Sequence, residues 1–168
     1  AMLGLADEGM RVWLEPNDDP KKKLKFGWRL VELDGAMAGI DTGVPNRVVG
    51  EALRSGLVKE VADYTGVRAE VKYGKNSRID FLLTESGKPD LYLEVKNVHL
   101  KRVGDLAEFP DCVTARGAKH LAELSDMVAL GHRAVMFYLV QRDDSARFDL
   151  ARDLDPVYGF GKPIVIDA

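Results

Sequence analysis

Ser77-Arg78-Ile79-Asp80-Phe81-Leu82-Leu83-Thr84 and Asp90-Leu91-Tyr92-Leu93-Glu94-Val95-Lys96-Asn97-Val98 decide the fold. Each run has strand length and strand composition, and Glu85-Ser86-Gly87-Lys88-Pro89 between them is a hairpin-length turn. Upstream, Val67 to Tyr73 reads as a further strand, joined through Gly74-Lys75-Asn76. A loop centred on Gly87 sets Asp80 opposite Glu94, and one centred on Lys75 sets Glu70 opposite Asp80. One sheet face then carries Glu70, Asp80 and Glu94 in a row, with opposed Cβ atoms about 4.5–5.5 Å apart. Two residues along, the same face is expected to carry Lys72, Arg78 and Lys96. Ile79, Phe81 and Leu83, with Leu91, Leu93 and Val95, are expected to make the opposite, apolar face on which a helix packs.

Outward from this core, Asn46 to Ser55 has helical spacing of Val48, Val49, Ala52 and Leu53, with Asn46 as its expected cap and Gly56 as its stop. A second short helical stretch is read from Leu57 to Tyr64. After the third strand a helix is expected over Asp111 to Leu130, with an apolar stripe of Val113, Gly117, Leu121, Leu124 and Val128. His132 to Gln141 reads as a buried central strand. Helix, three antiparallel strands, helix and parallel strand define a mixed-sheet α/β domain over residues 44–168. Residues 1–43 differ. Met10 to Leu14 and Phe26 to Leu33 read as short strands around a charged loop, a β region too short to close a barrel. No internal repeat or low-complexity tract is present.

The chain has 168 residues, enough for about one domain with a sizeable core. Its apolar fraction of 46% and charged fraction of 30% exclude a disordered or collagen-like chain. The longest apolar run, Ala134 to Val140, is too short to span a bilayer. Cys112 is the single cysteine, which excludes an internal disulfide and a cysteine-based zinc site. Asp7 and Glu8 stand where a secretory leader would be apolar. The expectation is a cytoplasmic protein with no membrane partner. A net charge of −3 is not the strongly basic signature of many nucleic-acid binders, so a binding face would rest on local patches.

Three adjacent carboxylates repel unless protons or cations compensate them. Oxygen ligands at this separation suit Mg²⁺ (or Mn²⁺), completed by water and a substrate phosphate. Asp80, Glu94 and Lys96 are the candidate catalytic residues, with Glu70, Asp80 and Glu94 as candidate metal ligands. Lys96 would orient or deprotonate the attacking water. For any one of these residues taken alone, a solvated sheet surface with weak ion pairs is the simpler account. The ordered set on two strands tips the balance toward chemistry.

Asp80…Glu94-Val95-Lys96 resembles the PD-(D/E)XK nuclease motif, with Ile79 in the proline position. A closer resemblance is to the sugar fermentation stimulation protein A family. It is carried by Glu70-Val71-Lys72-Tyr73-Gly74, Asn76-Ser77-Arg78-Ile79-Asp80-Phe81, Tyr92-Leu93-Glu94-Val95-Lys96 and Phe109-Pro110-Asp111. Thr114-Ala115-Arg116-Gly117-Ala118-Lys119-His120-Leu121 and Arg133-Ala134-Val135-Met136-Phe137 continue it. These blocks occur in order over residues 70–137, with weaker similarity upstream to Ala1-Met2. The resemblance implies an N-terminal OB-like domain, a C-terminal nuclease-like domain and DNA binding; a regulatory role in sugar use is the family's label. The family pattern begins well before Ala1, so the OB-like region is expected to be partial. Past Tyr158 the chain passes quickly to Phe160 and Ile164-Val165-Ile166.

On the second helix, Arg116 and His120 flank the apolar stripe and would reach the carboxylates, while Lys119 points nearly opposite it. Arg116, Lys119 and His120, with Lys72 and Arg78, are candidate phosphate contacts. Lys21, Lys22 and Lys23, beside Phe26 and Trp28, suit phosphate contact and base stacking, or else form a solvated loop over core aromatics. Three readings stay open: a Mg²⁺-dependent nuclease, a non-catalytic DNA-binding regulator of sugar-metabolism genes, and a structural domain with a salt-bridged sheet. DNA is favoured over RNA as partner.

Overall fold

The hairpins set the architecture, because their registers bring distant charges together while their apolar residues bury. The computed structural model describes residues 2–74 and 76–160. Strands β4 (Gly66–Tyr73), β5 (Ser77–Thr84), β6 (Leu91–Val98) and β9 (Arg133–Val140) form a four-stranded sheet in the order β4-β5-β6-β9. The first three are antiparallel, and β9 joins β6 in parallel after helix α2 (Ala115–Ala129). Phe81 pairs with Leu93 and Leu83 with Leu91, the expected register. In β4–β5, Val71 pairs with Ile79 and Ala69 with Phe81, again as expected.

Helices cover both faces. Val49 and Leu53 of α1 (Val44–Arg54) pack with Phe81, Leu83, Leu91, Leu93 and Val95. Leu124 of α2 packs with Tyr73, Ile79, Leu82 and Met136 on the other side. One expectation fails here. Ile79 does not share a face with Phe81 and Leu83; it lies in the α2 cluster. Between Ile79 and Phe81 both ladders break: the β4–β5 pairing skips Glu70, whose φ of 54° is left-handed, and Asp80, and the β5–β6 pairing ends at Phe81. Across that break Ile79 and Phe81 take opposite faces. Arg78 lies with Glu70 and Asp80 along one cleft as expected, whereas Lys72 does not join them and borders a neighbouring depression.

The helix boundaries also differ. Helix α1 starts at Val44 with Gly43 as its cap and Pro45 in the first turn, so Asn46 is not the cap. The stretch expected as helical from Leu57 to Tyr64 holds only a 3-10 turn, Lys59–Val61. Helix α2 begins after Thr114, whose side chain accepts from Gly117 N at 3.0 Å. Val113 therefore lies outside it and is exposed, and Val128 is also exposed.

Two smaller sheets complete the fold. β1 (Val12–Pro16), β2 (Phe26–Leu33) and β3 (Ala36–Gly39) make an N-terminal antiparallel sheet over Leu5, Val31, Ala38 and Ile40. β7 (Leu100–Val103), β8 (Leu106–Phe109) and β10 (Arg147–Leu150) form a sheet in the order β10-β8-β7, beyond the strands expected from the residue pattern. The short helix α3 (Pro156–Gly159) follows. The expected closing stretch Ile164-Val165-Ile166 lies outside the described residues. No described helix is long and apolar enough to cross a membrane.

Candidate acidic cleft

The ladder between β5 and β6 ends at Phe81–Leu93, so the strands part where Asp80 and Glu94 stand. Asp80 fills the gap with its side chain. Its Oδ2 accepts from Val95 N at 2.7 Å, and its Oδ1 accepts from Asn46 Nδ2 at 2.7 Å. Glu94 is 3% exposed. Its Oε1 accepts from Lys96 Nζ at 2.7 Å and makes a close contact with His120 Nδ1. Its Oε2 is buried without a hydrogen-bond partner among the described residues. Lys96 Nζ also lies 3.4 Å from His120 Nδ1.

These neighbours push the two carboxyls apart in acidity. Burial, then the Glu94 charge, raises the pKa of Asp80 above the usual carboxylate value, despite the bonds from Val95 and Asn46. Burial acts on Glu94 in the same direction, but His120 and Lys96 outweigh it and hold Glu94 below its ordinary value. Tyr73, whose buried hydroxyl also lacks a partner, is raised by burial and by Glu94, Glu123 and Asp80.

The cleft in front of this pair, about 410 Å³, is lined by Glu70, Arg78, Asp80, Glu94, Arg116, Lys119 and His120 among others. The geometry thus brings most of the expected residues together, with three adjustments. Lys119, expected to point away, lines the cleft, with its Nζ 3.6 Å from Glu123 Oε1. Lys72 borders a neighbouring depression with Tyr73 and Gly74 instead. Lys21, Lys22 and Lys23 are exposed in the loop between β1 and β2 and do not line the cleft. Two residues were missed. Asn46, read as a cap, contacts Asp80. Glu123 is 7% exposed, and neither of its carboxylate oxygens accepts a hydrogen bond among the described residues. The signal for Glu123 was its position three after His120 and seven after Arg116, on one helix face.

Among the described residues no three His, Cys, Asp or Glu side chains converge into a ready metal cage. The donor set is sparser: two neighbouring carboxylates, one with an unused buried oxygen. Such a set fits Mg²⁺, which retains several waters and takes only one or two carboxylates from the protein.

The fold and cleft define a class: an α/β/α domain on a mixed sheet, with a carboxylate–lysine cleft at the parting of two strands and a small β sheet before it. The description "Sugar fermentation stimulation protein RE domain" matches residues 43–161, and "SfsA N-terminal OB domain" matches residues 1–40. The chain belongs to the sugar fermentation stimulation protein family. It is 71% identical over 159 residues to the sugar fermentation stimulation protein homolog of Dinoroseobacter shibae, covering 94% of this chain and 65% of that one. The Jannaschia homolog is 64% identical, with 94% and 66% covered. The chain thus spans about two thirds of the length of these relatives. The structure of Pyrococcus furiosus SfsA in complex with Ca²⁺ superposes with a TM-score of 0.78 at 25% identity, covering 89% of this chain and 62% of that one.

Proposed function

We propose that this protein binds nucleic acid, with DNA favoured, and hydrolyses its phosphodiester backbone in a Mg²⁺-dependent reaction. The single observation that carries the reading is Glu94 Oε2, buried and without a hydrogen-bond partner among the described residues, on a side chain that lines one cleft with Asp80, Arg78, Arg116 and Lys119. A buried carboxylate oxygen left without a partner is costly, and a cation held by Glu94 and Asp80 would relieve that cost. The Ca²⁺ complex of the Pyrococcus furiosus relative supports a divalent ion in this family.

In this reading Asp80 and Glu94 hold the ion, with Glu70 at the cleft wall assisting. When bound, Mg²⁺ supplies Lewis-acid polarisation of a phosphoryl oxygen. Lys96 holds the attacking water from the Glu94 side through one of its three donors. Arg78 and Arg116, on β5 and α2, enter no ion pair among the described residues. They are free to grip phosphate oxygens and neutralise the charge that develops on them. His120 is held at Glu94 and contributes at the cleft wall. The Lys21–Lys23 loop would add a sequence-independent phosphate contact away from the cleft.

A second reading, a DNA-binding regulator without catalysis, is favoured by the occupation of Glu94 Oε1 by both Lys96 and His120, which neutralises much of the site internally. One experiment separates the two. Mg²⁺ and Mn²⁺ are titrated calorimetrically into the wild type and the Asp80→Asn/Glu94→Gln variant, and both are incubated with labelled single- and double-stranded DNA and RNA. The nuclease reading expects metal binding and cleavage, both lost in the variant. Binding of DNA that falls steeply with salt, without metal uptake or cleavage, would leave the regulator.

A further inference from the structure

We infer that Asn46 is the positioning residue that aims the Asp80 carboxylate at the metal ion; this rests on the metal-dependent reading above. Asn46 stands in the first turn of α1, yet it caps nothing: Gly43 occupies the cap position and no side chain serves it. Its hydrogen bond runs to a different element, from Nδ2 to Asp80 Oδ1 at 2.7 Å. The opposite oxygen of Asp80 takes the Val95 amide at 2.7 Å. Two donors from two elements fix the carboxylate plane. Each oxygen keeps a second acceptor site for a ligand in the cleft.

The reach of Asn46 depends on how closely α1 lies on the sheet, and a glycine sets that distance. Asn46, Gly50 and Leu53 lie on one helix face at spacings of four and three. A Cβ built on Gly50 would meet Phe81 Cζ at 3.0 Å, next in chain to Asp80. The close seat of α1 at Phe81 therefore brings the Asn46 amide to the carboxylate. The amide also supplies what a carboxylate at this position would not: a donor, in a site already crowded with negative charge. Groups that orient a metal ligand from behind matter to affinity almost as much as the ligands themselves.

The test is Mn²⁺ titration by calorimetry, with thermal unfolding in parallel, on the wild type, Asn46→Ala, Asn46→Leu and Asp80→Asn. Ala favours the helix more than Asn does, and Leu keeps the volume without a donor, so both variants should hold their melting temperature. The expected result is a fall in Mn²⁺ affinity of about 10–100-fold in both, at unchanged melting temperature, and loss of binding in Asp80→Asn. Unchanged affinity in the Asn46 variants, with binding lost in Asp80→Asn, would overturn this inference and leave the metal reading standing. Affinity that falls only together with melting temperature would make Asn46 a structural residue and overturn it too. A wild type that takes up no Mn²⁺ would overturn both the metal reading and the inference built on it.

Discussion

Glu70 adopts a backbone conformation that a side chain makes expensive. At φ 54° its Cβ crowds the following carbonyl, a cost of about 1–2 kcal/mol that glycine escapes. Glu70→Gly should therefore raise stability by roughly 1 kcal/mol in urea unfolding while weakening Mn²⁺ binding. A less stable variant would mean that the Glu70 side chain contributes more through contacts than its backbone costs. Nothing in the residue pattern around Glu70 marks this kink. Loop symmetry predicts pairing but not dihedral angles, so the Phe81–Leu93 and Val71–Ile79 registers were legible, while the parting of the strands at Asp80 and the exchange of faces at Ile79 were not. Asn46 shows the complementary limit. Asn before an apolar periodic run is the ordinary mark of a helix cap, and only the tertiary seat of α1 reveals its partner. Lys119 was misread because helical projection measures direction from the axis, whereas a long side chain can bend toward Glu123 and the cleft.

Among the elements, helix α2 carries Arg116, Lys119 and His120, so its placement sets the cleft wall. Its start is tied by Asp155, a carboxylate only 2% exposed. Asp155 Oδ2 accepts from Thr114 N at 2.7 Å, and Oδ1 accepts from Tyr158 N at 3.0 Å, so one side chain anchors α2 and caps α3. Asp155→Ala strips one buried and one half-buried amide of their acceptor and should cost about 3 kcal/mol in urea unfolding. Asp155→Asn, which keeps one acceptor oxygen, should lose less; equal losses would show that charge rather than hydrogen bonding is what matters. The strands β4, β5, β6 and β9 were legible nearly to the residue, because their periodicity and turns agree. The β7–β8–β10 sheet was not, because strands of four residues carry too little pattern to stand out.

At the scale of the molecule, the N-terminal sheet is stitched to the α/β domain through backbone. Gly39 N donates to Gln141 O at 2.8 Å, Ala38 bridges Arg142, and Met37 N donates to Asp143 Oδ1 at 2.8 Å. Beside this seam Asp144 accepts from Arg142 Nε at 2.8 Å and from Lys101 Nζ at 2.5 Å. Arg142, then Lys101, holds Asp144 well below the usual carboxylate pKa, although burial works against them. The native state therefore favours the charged form. The stabilisation is complete above the unfolded value of about 3.9 and is lost as pH falls through the folded value. Asp144→Asn should cost about 2 kcal/mol at pH 7, and the gap to wild type should narrow steadily below about pH 4. Urea unfolding at both pH values measures it; a gap that holds at acid pH would locate the effect in packing.

The kink at Glu70 has a further effect, because β4 is the outermost strand of the four-stranded sheet. An outer strand with a straight row of open amides and carbonyls invites a strand from another molecule to dock along it. Here the row bends at its middle, and Arg68, Glu70 and Lys72 stand exposed along it. A neighbouring chain approaching that side meets charge and a broken line of donors. The same backbone turn that shapes the cleft wall also guards the protein against edge-to-edge aggregation.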